Sequence, residues 1–175
     1  MKPKAQVGVI GGSGVYSLSS LSSPRDVAAF LAREKSLFVS ARRSGQHVVG
    51  ADQTLALGTR LFSKPAGRAE AAEQLRALAG IRHELCSAVA VALDGEILFE
   101  EVTTARMTMR RLSETEIEAY LDEAGKAVTS SVGAYQLEGL GVHLFERIEG
   151  DHFTILGLPL LPLLGFLRSQ SLLAI

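Results

Sequence analysis

The stretch His47–Pro65, HVVGADQTLALGTRLFSKP, decides how the chain is read. It opens as a short apolar run, His47-Val48-Val49, and reaches Gly50-Ala51-Asp52. An ionisable side chain directly after a β-branched run predicts a strand that leaves the core at Asp52. The carboxyl edge of an open α/β sheet is where such folds hold ligands. Farther on, Lys64 precedes Pro65, which biases its backbone toward an extended conformation. A carboxylate and a lysine at one sheet edge suit a polyphosphate with its metal ion. On this stretch alone the stronger reading of Asp52 is a turn or helix-capping residue.

Length and composition set the frame around that stretch. With 175 residues, 47% hydrophobic and 21% charged, the chain reads as globular and fits one domain over residues 1–175, or one with a small lobe; its strand and helix patterns make it α/β. A formal net charge of -1 gives no electrostatic footprint for duplex nucleic acid or an anionic membrane surface. The single cysteine, Cys86, rules out an internal disulfide and a thiolate metal cluster, and it reads as an inert core thiol. A cytoplasmic location fits this cysteine usage. The apolar run near the start is too short and glycine-broken for a signal peptide. In the tail TILGLPLLPLLGFLRSQSLLAI, Pro159, Pro162, Gly165 and Arg168 interrupt any membrane span, which points to a C-terminal helix opened by proline.

Before the central stretch, Val7–Ile10 is a short strand pattern followed by Gly11-Gly12-Ser13-Gly14, a turn able to present backbone N–H groups to a phosphate. Its spacing matches neither GxGxxG nor a P-loop. The words VGVIGGSGVYSL resemble the opening of methylthioadenosine phosphorylases, over about a dozen residues that nothing downstream continues. Ser23 is placed to cap a helix with Pro24 in its first position, running toward Ala41. Val27, Leu31 and Phe38 repeat at helical spacing and predict its core face, with Lys35 on the same stripe. A lysine there snorkels to water by default, while the direction of its face, toward the sheet that ends at Asp52, suits a phosphate contact.

After the central stretch, Ala69–Ala79 reads as a helix closed by Gly80. His83–Leu93 alternates as a strand, Asp94-Gly95 is a two-residue hairpin signal, and the return strand runs to Met109. Ser113-Glu114-Thr115-Glu116 is a capping box for a helix over Glu114–Ala124. His83 at a strand start reads as a hydrogen-bonded structural histidine. The glycine-rich run Ser131–Gly141 surrounds Glu138 and reads as a ligand-approaching loop or a bulged strand. Val142–Ile148 and His152–Ile155 are expected to pair as strands across Glu149-Gly150-Asp151.

From Leu31 onward several blocks in one order carry a family resemblance. They are LAREK at 31–35, GADQTLALG at 50–58, SKP at 63–65, LRALAGIRHELCSAVAV at 75–91, RRLSETEIEAYL at 110–121 and VGAYQLEGLGVHLFERIEGDHFTILGLPLLPLL at 132–164. The chain resembles the Maf family of nucleoside triphosphate pyrophosphatases, and its LEG and LFERIEG words are similar to the subfamily acting on 7-methyl-GTP. The resemblance implies an elongated mixed sheet with flanking helices and a cleft between two lobes. It also implies cleavage of the α–β phosphoanhydride of a nucleotide, with Mg²⁺ or Mn²⁺ as the cofactor. Carried over by motif, Asp52 matches the acidic residue that accepts a proton or activates water. Lys35 and Lys64 match the phosphate-neutralising lysines, and Gln53 and Glu138 match positions that tune base selectivity. Asp52 or Glu138 could instead hold the metal. The expected partner is a nucleotide, with a homodimer left open.

The departure from the family lies in the first 23 residues. Family members have an S-x-S-P-R-R loop and an acidic V-D-E segment, whereas here Ser22-Ser23-Pro24-Arg25-Asp26 keeps a single arginine and runs directly into LAREK. Arg25 is the retained part of that arginine motif, and either the glycine turn with Ser13 replaces the missing phosphate contacts or the altered start lowers activity. Two classes of function follow, a metal-dependent pyrophosphatase and a catalytically impaired nucleotide-binding regulator.

Overall fold

The computed structural model describes residues 23–174; Ser13 and its glycine turn lie outside the described residues. Ten α and β elements follow one another in the order α1 (Pro24–Ser40), β1 (Val48–Leu57), β2 (Arg60–Phe62), α2 (Arg68–Leu78), β3 (Arg82–Leu93), β4 (Glu96–Met109), α3 (Glu114–Ala124), β5 (Phe145–Glu149), α4 (His152–Ile155) and α5 (Leu160–Ser169). The strands form one five-stranded sheet in the order β2-β1-β3-β4-β5, with β2 antiparallel to β1 and β5 antiparallel to β4. The chain divides into two compact units. The first holds the described residues up to Gln53, Cys86–Thr103 and His152 onward; the second holds Thr54–Leu85 and Thr104–Asp151.

In the first unit α1 begins where the sequence indicates. The Ser23 hydroxyl accepts from the Asp26 N–H at 3.2 Å, Pro24 occupies the first turn, and Asp26 places a negative charge near the positive end of the helix. Its core face differs from the expectation. The buried stripe is Val27, Ala28, Ala32, Ser36 and Ser40, whereas Phe38 is 60% exposed and lies beneath the Arg42 guanidinium at 3.8 Å. Small residues win this face because the strand comes too close for large ones. A Cβ added at Gly50 would stand 2.2 Å from the Ala32 carbonyl oxygen and 2.7 Å from the Ser36 nitrogen. Ala28 and Ala32 pack with Cys86, Ala88 and Ala90 of β3 into a layer of small side chains. The alternate residues of these strands, Val49, Val89 and Val91, meet Leu163 of α5, with Phe99 and Phe166 stacked beside them at 4.8 Å.

Asp94 (φ 49°) and Gly95 (φ 86°) form the expected two-residue turn between β3 and β4. The Asp94 carboxylate accepts from the Gly45 N–H at 2.7 Å, and Ser40 Oγ accepts from the Gly95 N–H at 2.9 Å, so α1 and its following loop grip the turn. The proline-opened C-terminal helix is present as α5. No helix among the described residues is long and apolar enough to cross a membrane. Cys86 is buried in the small-residue layer, as expected of a core thiol.

In the second unit α3 carries the full capping box. Ser113 Oγ accepts from the Glu116 N–H, and the Glu116 carboxylate accepts from the Ser113 N–H at 2.8 Å. Gly80, at φ 70°, follows α2 closely and ends its run. Two expectations are corrected. The strand carrying Asp52 does not stop there, because β1 continues through it to Leu57 and turns into β2 through Gly58. The predicted pairing of Val142–Ile148 with His152–Ile155 is absent. Residues Phe145–Glu149 pair instead with β4, with Arg106 opposite Glu149, and His152–Ile155 is helical. The free edge of β4 offers a longer run of backbone partners than a local hairpin could, and Gly150 (φ 137°) turns the chain directly against Ala105.

Candidate active site

Asp52 sits in the middle of β1, with the same side-chain parity as Gly50, so it faces α1. The close seat of α1 on Gly50 brings Lys35, one turn beyond Ala32, onto this carboxylate. Lys35 Nζ forms a salt bridge and hydrogen bond to Asp52 Oδ1 and donates to the Ala51 carbonyl at 3.2 Å. Both side chains are 16% exposed, partly withdrawn from water yet still reachable. Two of the ammonium's three N–H groups are thus engaged among the described residues, leaving one for a ligand. The resemblance assigns Lys35 to phosphate; the structure places it on the candidate catalytic carboxylate.

Gln53 is the next residue on the strand and so points to the opposite face. Its Nε2 donates to Ser87 Oγ at 2.9 Å, to the Thr154 carbonyl at 2.9 Å and to the Ile155 carbonyl at 3.0 Å. Ser87 Oγ itself donates to the Thr154 carbonyl at 2.6 Å, and the Thr103 and Thr154 hydroxyls share a hydrogen bond at 2.8 Å. The donor end of Gln53 is therefore spent on tying α4 to the sheet. Arg25 is exposed, and its Nη2 donates to the Val102 carbonyl at 2.8 Å.

The second unit holds the other candidates. Lys64 is exposed in the loop between β2 and α2, between Ser63 and the buried Pro65. Glu138 is exposed in a turn after a short 3₁₀ segment at Val132–Ala134. Gln74 of α2 lies between these two segments and is buried. Its Nε2 donates to the Ser63 carbonyl at 2.9 Å, and its Oε1 accepts from the Gly133 N–H at 3.1 Å. Sequence reading passed over Gln74 and Ser87. The available signal was a polar residue on an apolar face: Gln74 shares its helical stripe with Ala71 and Leu78, and Ser87 interrupts an apolar strand.

His83 is the structural histidine its position suggested. It is buried, with Nε2 and the Tyr135 hydroxyl 2.8 Å apart, and Phe145 packs on its ring. Nδ1 has no hydrogen-bond partner among the described residues. Burial pushes the imidazole from its ordinary 6.5 down to about 4, with the Ile81 backbone opposing more weakly. A base with a depressed folded-state pKa contributes full stability above pH 6.5 and loses it as pH falls from 6.5 toward 4. At about 1.4 kcal/mol per pH unit this gap makes about 3 kcal/mol. Urea unfolding across that window is expected to show the loss in the wild type and to lack it in His83→Leu. An identical pH slope in both proteins would contradict it.

No group of three or more His, Cys, Asp or Glu residues among the described residues could hold a metal ion. The donor set does fit a hard cation held by one carboxylate, with water and substrate phosphates completing its shell.

Comparison with known proteins gives the same direction throughout. The family model described as Maf-like protein matches residues 15–170. The chain is 72% identical over 162 residues to the nucleoside triphosphate pyrophosphatase of Bradyrhizobium diazoefficiens, covering 93% of this chain and 80% of that protein. Identity is 67% over 162 residues to the protein of the same description from Rhodopseudomonas palustris, with the same shares covered, 93% and 80%. It is 54% over 147 residues to the 7-methyl-GTP pyrophosphatase of Rhizobium etli, covering 84% of this chain and 74% of that protein. The matched span takes in α1, the whole sheet and α5, so the chain belongs to the Maf-like family.

Proposed function

We propose that this protein is a cytoplasmic nucleotide pyrophosphatase that hydrolyses the α–β phosphoanhydride of a nucleoside triphosphate, releasing monophosphate and pyrophosphate. The observation that carries the reading is the Lys35–Asp52 pair: two residues from separate motif blocks meet as one partly buried unit on β1. The names of the close relatives support the same reaction class.

Asp52 orients a water and takes its proton as the water oxygen attacks the α-phosphorus; pyrophosphate leaves. Lys35 holds the carboxylate in one orientation and keeps an N–H for a phosphate oxygen. Lys64 supplies a second positive charge to the polyphosphate. A divalent cation, Mg²⁺ or Mn²⁺, when bound supplies further charge neutralisation, with Asp52 or Glu138 giving it a carboxylate oxygen. Glu138 selects the base, and its negative charge suits the cationic ring of 7-methyl-GTP, the substrate in the name of the Rhizobium etli relative.

The test is pyrophosphate release from a panel of triphosphates that includes 7-methyl-GTP, with Mg²⁺ or Mn²⁺ present. Turnover of at least one of them is expected, and Lys64→Ala is expected to raise KM by about tenfold or more, the loss of one charge-assisted phosphate contact. Saturable nucleotide binding without turnover in either metal would overturn the reading.

A further inference from the structure

We infer that Gln74 is a positioning residue that sets, from one buried amide, both the segment presenting Lys64 and the segment leading to Glu138. The inference rests on the proposed roles of those two residues. A carboxamide presents a donor and an acceptor from the same rigid, uncharged group. Gln74 uses both ends: its Nε2 donates to the Ser63 carbonyl at 2.9 Å, and its Oε1 accepts from the Gly133 N–H at 3.1 Å. The two segments are 59 positions from Gln74 on one side and 11 on the other, so nothing local in the chain links them.

Each end of the bridge is stiff where it meets the candidate residue. The Ser63 carbonyl belongs to the residue before Lys64, and Pro65 after it is buried, so the Lys64 backbone is anchored on both sides. Gly133 has φ +79°, and a Cβ there would lie 2.5 Å from the Leu55 side chain and 2.7 Å from the Tyr135 ring. The following segment is braced by the Tyr120 hydroxyl donating to the Ala134 carbonyl at 3.1 Å and by Ser131 Oγ donating to the Tyr135 carbonyl at 2.5 Å. The turn that carries Glu138 then folds on itself. The Gly139 N–H donates to the Gln136 carbonyl at 3.2 Å, and a Cβ at Gly141 would lie 2.4 Å from that same oxygen. A displacement at Gly133 is therefore carried along to Glu138 rather than absorbed.

Two substitutions separate the ends of the bridge. Gln74→Glu keeps an acceptor for the Gly133 N–H and, when ionised, loses the donor to Ser63. Gln74→Met has a similar length and loses both. Steady-state kinetics at pH 8 on the folded proteins, with two triphosphates of different base, read the outcome. Gln74→Glu is expected to raise KM and lower kcat/KM by about tenfold, with the preference between the bases unchanged. Gln74→Met is expected to lower kcat/KM similarly and also to erode that preference, while amide exchange at Gly133 speeds up. Because Gln74 acts through Lys64, adding Gln74→Glu to Lys64→Ala is expected to cost nothing further. Full additivity in the double variant, or wild-type kinetics in Gln74→Met, would overturn the inference. Where the Met variant does not fold, the Gln74→Glu cycle decides alone. Should Lys64→Ala itself leave kcat/KM unchanged while Gln74→Glu lowers it, the role proposed for Lys64 fails, and this inference with it.

Discussion

Asp52→Asn is expected to lower kcat by about 10²–10⁴-fold, the contribution typical of a positioned general base. The amide keeps the size of the carboxylate and can still accept from Lys35 through its oxygen, so the seat of α1 on β1 survives. It can no longer take a proton from water. Binding and chemistry should therefore separate: kcat falls while the thermal midpoint stays close to that of the wild type. Lys35 sharpens the comparison, because it spends one N–H on Asp52 and one on the Ala51 carbonyl. Were Asp52 only a fold-stabilising partner of Lys35, the Asn variant would lose stability and keep its turnover number. Kinetics and thermal unfolding of the same two samples distinguish the two cases.

Gly50→Ala is expected to be the most damaging single methyl group in the first unit. The added carbon would fall between the Ala32 carbonyl oxygen, 2.2 Å away, and the Ser36 nitrogen, 2.7 Å away. Those two atoms are acceptor and donor positions four residues apart in α1, so the methyl meets helix backbone rather than a side chain that can swing aside. The helix must lift from the strand, opening the small-residue layer of Ala28, Ala32, Cys86, Ala88 and Ala90. Overpacking of this kind costs about 3 kcal/mol. In a chain of this size that corresponds to a fall in midpoint of roughly 6–12 °C. Lys35 lies on the same helix, so its contact with Asp52 should loosen and activity should fall even below the midpoint. A wild-type midpoint in Gly50→Ala would show that the close approach is not rigid.

The parts of this fold that were legible in the sequence are those set by local chemistry. Ser23-Pro24 starts α1, Asp94-Gly95 turns β3 into β4, and the Ser113–Glu116 reciprocal bonds begin α3. Each works through atoms within three or four positions, so the residue types alone carry the information. What failed depended on partners far along the chain. Asp52 looked like a strand end because a charge seldom belongs in mid-strand; Lys35, 17 positions earlier, is what makes that place tolerable. Phe38 looked like core because it is large and apolar, but the face is chosen by the approach of Gly50, which admits only small residues. His152–Ile155 looked like a strand, and became a helix whose carbonyls meet Gln53 about a hundred positions away.

The candidate site follows the same division. Asp52, Lys35, Lys64, Gln53 and Glu138 could be named from motif words, since those words are short and contiguous. Their arrangement could not. Nothing local indicates that Asp52 and Gln53 face opposite sides of a continuous strand, or that Gln53 spends its amide on α4. The supporting residues, Ser87 and Gln74, show in sequence only as polar interruptions of apolar faces. Their partners emerge only in the folded chain.

Hydrolysis of a triphosphate in ¹⁸O-labelled water, with the products separated and weighed by mass spectrometry, tests the central claim most directly. Attack at the α-phosphorus predicts one labelled oxygen in the nucleoside monophosphate, unlabelled pyrophosphate, and a rate that collapses in Asp52→Asn. Release of labelled orthophosphate with a nucleoside diphosphate, or undiminished turnover by the Asn variant, would contradict the account.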